Sequence, residues 1–301
     1  MRFSLTTIIA SLAIMAELAE ASAIMMTPRS NHALAARRIA RKKRCIARGP
    51  NSSNNAQNAP SNSVQAAPAP APTQHTPPPA PAPAPQGNTA GITSAPDNRC
   101  GKNATPNVQS WTGPNGSADY LTCGIRDSGW EPPMMTLDNA VIKSLDEILS
   151  MPGNPLAPCT NLLGDFNAVA ASHGVPAALL AAIALQESTC RSGVIGRNGE
   201  VGLMQLTPDK CVNDGRCWYD RGNIEMGAEV FKNFLNAAGG NMLLALGNYN
   251  GWVKFMTVAD ANNKPTCGQR NNLDYLMNVM NGYLQGVDPA SVNMGTFFNL
   301  C

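Results

Sequence analysis

The proline-rich stretch of the chain limits where a folded core can form. Residues 51–98 consist almost entirely of Pro, Ala, Asn, Ser, Thr and Gln, with Pro-Ala repeats over residues 67–85. This composition offers too few aliphatic side chains to bury a core, and it favours an extended, polyproline-like chain. We therefore predict a disordered linker over residues 50–98 and expect the folded part of the 301-residue protein to begin near residue 99.

The residues before the linker are typical of targeting and processing segments. Residues 1–23 combine Arg2, an apolar run and a small-residue Ala-Ser-Ala end, which predicts a secretory signal peptide. Glu17 and Glu20 make the run too short for a retained transmembrane helix. Residues 24–49 are basic and contain the run Arg-Lys-Lys-Arg, the kind of site that kexin-like and furin-like proteases cut. We interpret them as a pro-segment and the protein as secreted and extracellular.

The charge of the remaining chain argues against a nucleic-acid binder. Nine of the Lys and Arg residues lie in residues 1–50, so residues 99–301 hold thirteen of them against seventeen Asp and Glu. A mildly acidic domain lacks the basic surface that phosphate contacts need. We expect neither nucleic-acid binding nor membrane contact after signal removal, and we expect a monomer.

Cysteine usage agrees with an oxidising compartment. Eight of the nine cysteines lie in residues 99–301, and the ninth is Cys45 in the pro-segment. An even number in a secreted chain predicts disulfides whose pairing the sequence leaves open, and no Cys-x-x-Cys pair suggests zinc. We therefore predict no metal and no cofactor. Sequons at Asn51, Asn103 and Asn115 are compatible with a secretory route.

Hydrophobic spacing predicts a mainly α-helical globule. Residues 99–135 show no sustained period and should be loops tied down by disulfides, whereas the domain over residues 136–301 carries helical patterns. The expected helices start near Thr136, Asn161, Pro176, Asn223, Asn241 and Asn272. His173 near a helix end is expected to be a capping residue rather than a catalytic one.

The helix after Pro176 has one conspicuous residue. It is apolar on every side and uncharged until Glu187, so it should be surrounded by protein. Burial and the negative end of the helix dipole should both raise the pKa of this carboxyl, and a protonated Glu can act as a general acid. The alternative is a buried helix that simply emerges into solvent, with Glu187 paired to a nearby Arg such as Arg191.

Three segments resemble the lytic transglycosylase and goose-type lysozyme superfamily, as in family 23 of the glycoside hydrolases. They are Gln-Glu-Ser at residues 186–188, Gly-Leu-Met-Gln at residues 202–205 and Tyr-Asn at residues 249–250, in the family's order and spacing. The resemblance covers roughly residues 155–285 and points to a secreted fungal-type member. It implies a lysozyme-like, α-rich, disulfide-reinforced globule, with a small irregular or hairpin segment between the catalytic helix and the Gly-Leu-Met-Gln loop.

The resemblance also implies roles for individual residues. Glu187 would be the catalytic acid, and Met204 and Gln205 would line the sugar groove. Tyr249 and Asn250 of the Tyr-Asn pair would bind or orient the sugar, and the terminal-helix tyrosine of the family falls on Tyr275.

The chain departs from the family pattern in two places. Asn248 precedes Tyr249, and Gly251 follows the Tyr-Asn pair directly with Trp252 next to it. The acid that commonly comes shortly before the last tyrosine is expected to be missing. Trp252 could stack on a sugar face or belong to the core.

A second carboxylate would decide the chemistry. Glycoside hydrolases normally use a pair of carboxyl groups, and Glu200 is the acid between the central helix and the Gly-Leu-Met-Gln loop. We interpret Glu200 as a solvated turn residue in preference to a base. Transglycosylases of the superfamily use one Glu, which protonates the leaving oxygen and then takes the proton of the sugar's own C6 hydroxyl.

The sequence therefore supports one hypothesis over two others. The first is a secreted muramidase-type enzyme that cleaves the β-1,4 bonds of peptidoglycan, by transglycosylation with Glu187 alone. The second is an enzyme that uses water on peptidoglycan, chitin or chito-oligosaccharides, since all of these contain N-acetyl sugars. The third is a non-catalytic glycan-binding wall protein.

Overall fold

The computed structural model of the protein describes residues 99–211, 214–266 and 269–295. All of them belong to one structural unit. The predicted signal peptide, pro-segment and linker lie outside the described residues, as do Cys45, Cys267 and Cys301.

The described residues form a mainly α-helical structure, as the sequence predicts. In chain order the α-helices are α1 (Ala118–Leu121), α2 (Leu145–Ser150), α3 (Leu163–His173), α4 (Ala177–Ser188), α5 (Pro208–Cys211), α6 (Asp220–Ala237), α7 (Met242–Tyr249), α8 (Val258–Asn262) and α9 (Tyr275–Met277). Short 3-10 helices cover Ala157–Leu162, Gly215–Trp218, Tyr283–Gln285 and Pro289–Val292, and a π-helix covers Asn278–Gly282. The sheet content of the described residues is one antiparallel pair, β1 (Thr112–Gly113) and β2 (Gly116–Ser117), in which Thr112 pairs with Ser117.

Helix α4 lies in the centre of the core. Every one of its residues except Leu185 is buried, and it packs against α2, α3 and α6. The sequence predicts this burial, because a helix that is apolar on every side has no face for water. Pro176 lies just before the helix as its N-cap residue rather than at the first helical position. Fixing α4 from all sides gives its last turn, which carries Glu187, a defined position.

Helix α2 is shorter than its hydrophobic pattern predicts. The expected start at Thr136 is wrong, because Thr136 and Asn139 form a closed turn in which each side chain accepts a hydrogen bond from the other residue's backbone N–H. Short polar side chains compete in this way with helical hydrogen bonds. The helix begins instead at Leu145, after Ser144, whose hydroxyl accepts a hydrogen bond from Glu147 N at 3.1 Å.

Two further boundaries differ from the prediction. Helix α6 starts at Asp220, so Asn223 lies inside the helix and is not its cap. The predicted C-terminal helix consists of three consecutive helical segments of different types: the α-helix α9, the π-helix and the 3-10 helix Tyr283–Gln285. The predicted cap of α7 is confirmed, since the Asn241 side chain accepts hydrogen bonds from Leu243 N and Leu244 N.

Disulfides reinforce the fold, as predicted. The described pairs are Cys100–Cys123, Cys159–Cys190 and Cys211–Cys217. They tie the loop-rich segment before α1, the end of α4, and the segment that leads into α6. Among the described residues, no helix combines the length and the apolar character needed to cross a membrane.

The Asn115 sequon is inaccessible in the folded protein. The Asn115 side chain is fully buried, and its amide nitrogen donates to Val141 O at 2.9 Å and to Met280 O at 2.7 Å. Its carbonyl oxygen accepts from Val141 N. Asn115 therefore holds β1 and β2 to the C-terminal helices, while the sequon at Asn103 is exposed.

Candidate active site

Glu187 lies in the last turn of α4, where the buried helix reaches the surface. Its relative exposure is 9 %, and the residues on either side of it, Gln186 and Ser188, are also buried. The Ser188 hydroxyl donates to Ala184 O at 3.1 Å, so it serves the helix itself. The carboxyl group is thus supplied by a rigid element and is nearly enclosed.

The chain leaves α4 through two consecutive left-handed residues. Thr189 has φ 58° and Cys190 has φ 51°, and the Thr189 N–H donates to Leu185 O. A β-branched residue in this region is a genuine outlier, because its Cβ crowds the backbone. The disulfide from Cys190 to Cys159 fixes the turn to the 3-10 helix Ala157–Leu162. The backbone directly after the Glu-Ser pair is therefore strained and held in place.

The Gly-Leu-Met-Gln segment forms the tip of a small hairpin. The expected irregular or hairpin segment between α4 and this loop is short and is bridged by Ile195 and Val201. Val201 also pairs with Leu206 across the hairpin. Gly202, with φ 74°, opens the turn, and Gln205 N donates to Gly202 O at 3.2 Å. The turn places Leu203 and Met204 inward, where both are fully buried.

Asn223 on α6 also binds this turn. The sequence predicts a helix cap at this position and gives no sign of the contact with the turn. Asn223 is 1 % exposed, its carbonyl oxygen accepts from Met204 N at 2.8 Å, and its amide nitrogen donates to Val201 O and Cys217 O. A Cβ at Gly202 would meet the Asn223 amide at 2.5 Å, so the close approach requires glycine there. The sequence signal was ambiguous, since an Asn near a helix start is ordinarily a cap.

Tyr249 binds the same turn through the carbonyl group of Met204. The Tyr249 hydroxyl donates to Met204 O at 3.0 Å, and its ring makes an edge contact with Phe234 of α6. The two predicted motifs are therefore joined directly, because the last residue of α7 holds the middle of the Gly-Leu-Met-Gln turn. Asn250 follows as the C-cap of α7, and its buried Oδ1 has no hydrogen-bond partner among the described residues.

The predicted groove residues Met204 and Gln205 have structural contacts. The Met204 side chain lies over α6, where a Cβ at Gly227 would meet its Cγ at 2.6 Å. Gln205 is 9 % exposed, and its amide nitrogen donates to Gly202 O at 2.8 Å and to Val194 O at 3.2 Å. In this structure, both side chains therefore support the hairpin that would form the wall of a groove.

Glu200 is buried rather than solvated, in contrast to the sequence-based interpretation. Its exposure is 4 %, and its carboxylate accepts hydrogen bonds from Asn198 N at 3.0 Å and from Asn198 Nδ2 at 3.1 Å. A Cβ at Gly196 would touch both Glu200 and Gln205, so these two side chains lie at one glycine. The carboxylate thus closes the turn that precedes the hairpin.

Tyr275 is fully buried in α9, which packs against α7, the helix that carries Tyr249. The expectation that no acid comes shortly before this tyrosine is wrong, because Asp274 precedes it directly and is itself buried. Asp274 is visible in the sequence directly after the run Asn271-Asn272-Leu273. Trp252 is a core residue, since its ring meets Trp130 at 4.9 Å and its N–H donates to Asn272 O.

The described residues contain no group of three His, Cys, Asp or Glu side chains that could hold a metal ion. His173 lies at the end of α3, where its Nδ1 is 3.1 Å from Val169 O and 2.8 Å from Ser172 Oγ. It contacts its own helix, as expected for a capping residue.

Part of the chain is similar to known proteins. The family model described as Transglycosylase SLT domain matches residues 165–264, about a third of the chain. No curated protein matches the sequence. Among solved structures, an inactive mutant of the lytic transglycosylase Slt from Pseudomonas aeruginosa is similar at 17 % identity and a TM-score of 0.25, over 46 % of this chain and 22 % of that chain. The chain thus spans about a fifth of that protein's length.

The family match covers the whole of α4, the hairpin and the Tyr-Asn pair, whereas Tyr275 lies beyond its end. Over residues 165–264, which include Glu187 and the Gly-Leu-Met-Gln turn that Tyr249 binds, the chain therefore matches the family described as Transglycosylase SLT domain.

Proposed function

We propose that the protein is a secreted, muramidase-type lytic transglycosylase that cleaves the β-1,4 glycosidic bonds of peptidoglycan, with Glu187 as its single catalytic carboxyl. The observation that carries the proposal is the position of Glu187 at the end of the buried helix α4, within the residues that match the Transglycosylase SLT domain. The printed name of the similar solved structure, a lytic transglycosylase, agrees with it.

The chemistry requires one group that first gives a proton and then takes one. In its acid form, the Glu187 carboxyl would protonate the oxygen of the glycosidic bond, and the bond from that oxygen to C1 would break. The C6 hydroxyl oxygen of the same sugar would then bond to C1, and the Glu187 carboxylate would take the hydroxyl proton. The products are a shortened strand with a free hydroxyl and a 1,6-anhydro sugar, and Glu187 is again an acid.

The contacts of Glu200 favour this route over hydrolysis. A base that activates water must present a carboxylate oxygen towards the reacting sugar. Both carboxylate oxygens of Glu200 accept hydrogen bonds from Asn198, which is part of the same turn. We therefore assign Glu200 to the support of the hairpin.

Analysis of the products tests the proposal. The full-length wild-type protein and the variant Glu187→Gln are incubated with peptidoglycan and with chitin, and the products are identified by mass spectrometry. The wild type should release anhydro-muropeptides and the variant should release none. Glu147→Gln, a change at an exposed carboxylate on α2, is the matched control and should cleave like the wild type.

Three further results would contradict parts of the proposal. Products that end in a reducing sugar would mean that water is the nucleophile, and release from chitin alone would mean a different substrate. Binding of peptidoglycan without cleavage by the wild type would identify a glycan-binding protein instead of an enzyme.

A further inference from the structure

Two neighbouring aromatic residues, Trp218 and Tyr219, are exposed. Their relative exposures are 61 % and 73 %, and no other described Trp or Tyr is more than half exposed. Trp130, Trp252, Tyr120 and Tyr275, by contrast, are at most 1 % exposed. Trp and Tyr side chains are highly or moderately buried on average, so an adjacent exposed pair is unusual and indicates contact with a ligand.

The backbone that carries these two side chains is fixed. Trp218 ends the 3-10 helix Gly215–Trp218, directly after the disulfide Cys211–Cys217. Asp214 caps that helix by accepting a hydrogen bond from Arg216 N, and the Arg216 side chain donates to Asp214 and to Glu229 of α6. The hydrogen bonds from Arg216 hold the pKa of the Asp214 carboxyl below its usual range. A fixed platform loses less conformational entropy when a ligand binds.

The same backbone is joined to the candidate active site at two points. Asn223, which holds Met204 of the Gly-Leu-Met-Gln turn, also donates its N–H to Tyr219 O at 2.7 Å and its amide to Cys217 O. Asp220, the residue after Tyr219, accepts a hydrogen bond from the Ser192 hydroxyl at 2.7 Å, five residues beyond Glu187. The backbone of the exposed pair is therefore tied through Asn223 to the Gly-Leu-Met-Gln turn and through Asp220 to the loop that follows Glu187.

The charge around the pair narrows the class of ligand. Residues 214–229 contain four acidic side chains, Asp214, Asp220, Glu225 and Glu229, and two basic ones, Arg216 and Arg221. Such a surface repels nucleic acid and anionic lipid, whose binding depends on clustered Lys and Arg. A pyranose ring, in contrast, offers an apolar face of C–H groups to an aromatic ring and hydroxyl groups to the Tyr hydroxyl.

We propose that Trp218 and Tyr219 form a sugar-binding platform that holds the glycan strand beyond the bond that Glu187 cleaves. The platform rests on the proposed function, because its ligand is a further part of the same strand. It would make long strands better substrates than short fragments, which fill the cleavage site alone.

Binding measurements in the full-length Glu187→Gln protein test the platform. In that background, Trp218→Ala and Tyr219→Ala should each weaken binding of long soluble peptidoglycan strands about tenfold and leave binding of a disaccharide fragment unchanged. Trp218→Phe and Tyr219→Phe retain a ring and should keep most of the affinity. Phe255→Ala removes another exposed aromatic side chain, whose ring lies against Lys254, and should have no effect.

The outcomes separate the platform from the proposed function. Thermal unfolding of each variant shows that the fold is intact, and cleavage by the wild type is measured in parallel. One outcome is that the wild type cleaves peptidoglycan while the double variant Trp218→Ala, Tyr219→Ala in the Glu187→Gln background binds long strands as tightly as Glu187→Gln itself. That result would show that the two residues are not a sugar-binding platform. An equal loss in Phe255→Ala, or binding of an unrelated protein by the pair with no change towards glycan, also overturns it. Absence of cleavage by the wild type overturns the proposed function instead.

Discussion

Single side chains from two helices hold the turn at the candidate site. Tyr249 at the end of α7 binds Met204 O, and Asn223 in α6 binds Met204 N. The backbone N–H and C=O groups of buried Met204 thus both have hydrogen-bond partners. This matters because an unpaired buried polar group destabilises the fold. We therefore expect the loss of either side chain to destabilise the turn.

Removal of the Tyr249 hydroxyl should reduce activity without unfolding the protein. Tyr249→Phe leaves the ring and its contact with Phe234 but leaves Met204 O without its donor. We expect a fall of about tenfold in kcat/KM and a loss of roughly 1 kcal/mol in the free energy of unfolding. Steady-state kinetics and urea unfolding check the two effects, and full activity would show that the turn does not depend on this bond.

Asn223 should be more costly to lose, because its amide serves three backbone groups. Asn223→Ala leaves Met204 N, Val201 O and Cys217 O unsatisfied in the core, and we expect a loss of roughly 3 kcal/mol in the free energy of unfolding. Asn233→Ala, at an exposed position of the same helix, is the matched control and should change stability little. Comparable losses in both variants would contradict a special role for Asn223.

For the site residues, the sequence predicts which side chains are buried better than it predicts their hydrogen-bond partners. The enclosure of Glu187 follows from the apolar residues around it in α4, which the chain displays openly. The contacts of Asn223 depend on how distant segments meet, and a local pattern assigns such a residue to a cap. Glu200 binds Asn198 two residues away, but its burial is not visible in the local pattern, which assigns it to a solvated turn. The joining of Tyr249 to Met204 connects residues 45 positions apart, so only the packed structure defines it.

The ends of helices α3 and α4 have the same backbone conformation but different residue types. Gly174, the residue after α3, has φ 66°, and Thr189, the residue after α4, has φ 58°, so the backbone passes through the left-handed region at both helix ends. Glycine adopts this conformation without steric cost, whereas a β-branched residue does not. The same backbone geometry is therefore relaxed in one helix and strained in the other.

Exchanging the residue types at these two ends should have opposite effects. Thr189→Gly should raise the free energy of unfolding by about 1 kcal/mol, and Gly174→Ala should lower it by a similar amount. Both positions are exposed, so packing changes little in either variant. Thermal unfolding measures the two shifts, and shifts of the same sign would contradict the assignment of strain to Thr189.

The disulfide after α4 should support both stability and activity. Cys159 and Cys190 are 31 positions apart, and opening a loop of this size should cost roughly 3 kcal/mol. Because Cys190 follows Glu187 by three residues, the double variant Cys159→Ala, Cys190→Ala should also lose activity at temperatures where it is still folded. The Cys211→Ala, Cys217→Ala variant is the comparison, since its bridge spans six positions and should contribute less.

Element boundaries show which patterns are reliable. The core helices α4 and α7 follow from long apolar runs and from an Asn cap, and the structure confirms both. The predicted start of α2 failed because Thr136 and Asn139 bind each other's backbone, and the π-helix Asn278–Gly282 has no signal in the apolar spacing. Local polar competition and long-range packing thus decide what periodicity alone leaves undetermined.

At the scale of the whole molecule, the sequence predicts one folded part behind a processed and extended N-terminal region. Limited proteolysis of the full-length protein should cut within residues 24–98 and leave a resistant fragment that begins near residue 99. Mass analysis of the fragment under non-reducing conditions checks the boundary. A resistant fragment that retains the Pro-Ala repeats would contradict the predicted linker.

In the proposed function Glu187 acts without a water nucleophile, and cleavage in water enriched in oxygen-18 distinguishes this route from hydrolysis. Peptidoglycan is digested by the full-length protein in this water, and the newly formed sugar ends are analysed by mass spectrometry. Transglycosylation predicts anhydro ends, lighter than a reducing end by one water and free of oxygen-18. Reducing ends that carry one oxygen-18 atom would contradict transglycosylation by Glu187, because they require water to attack C1.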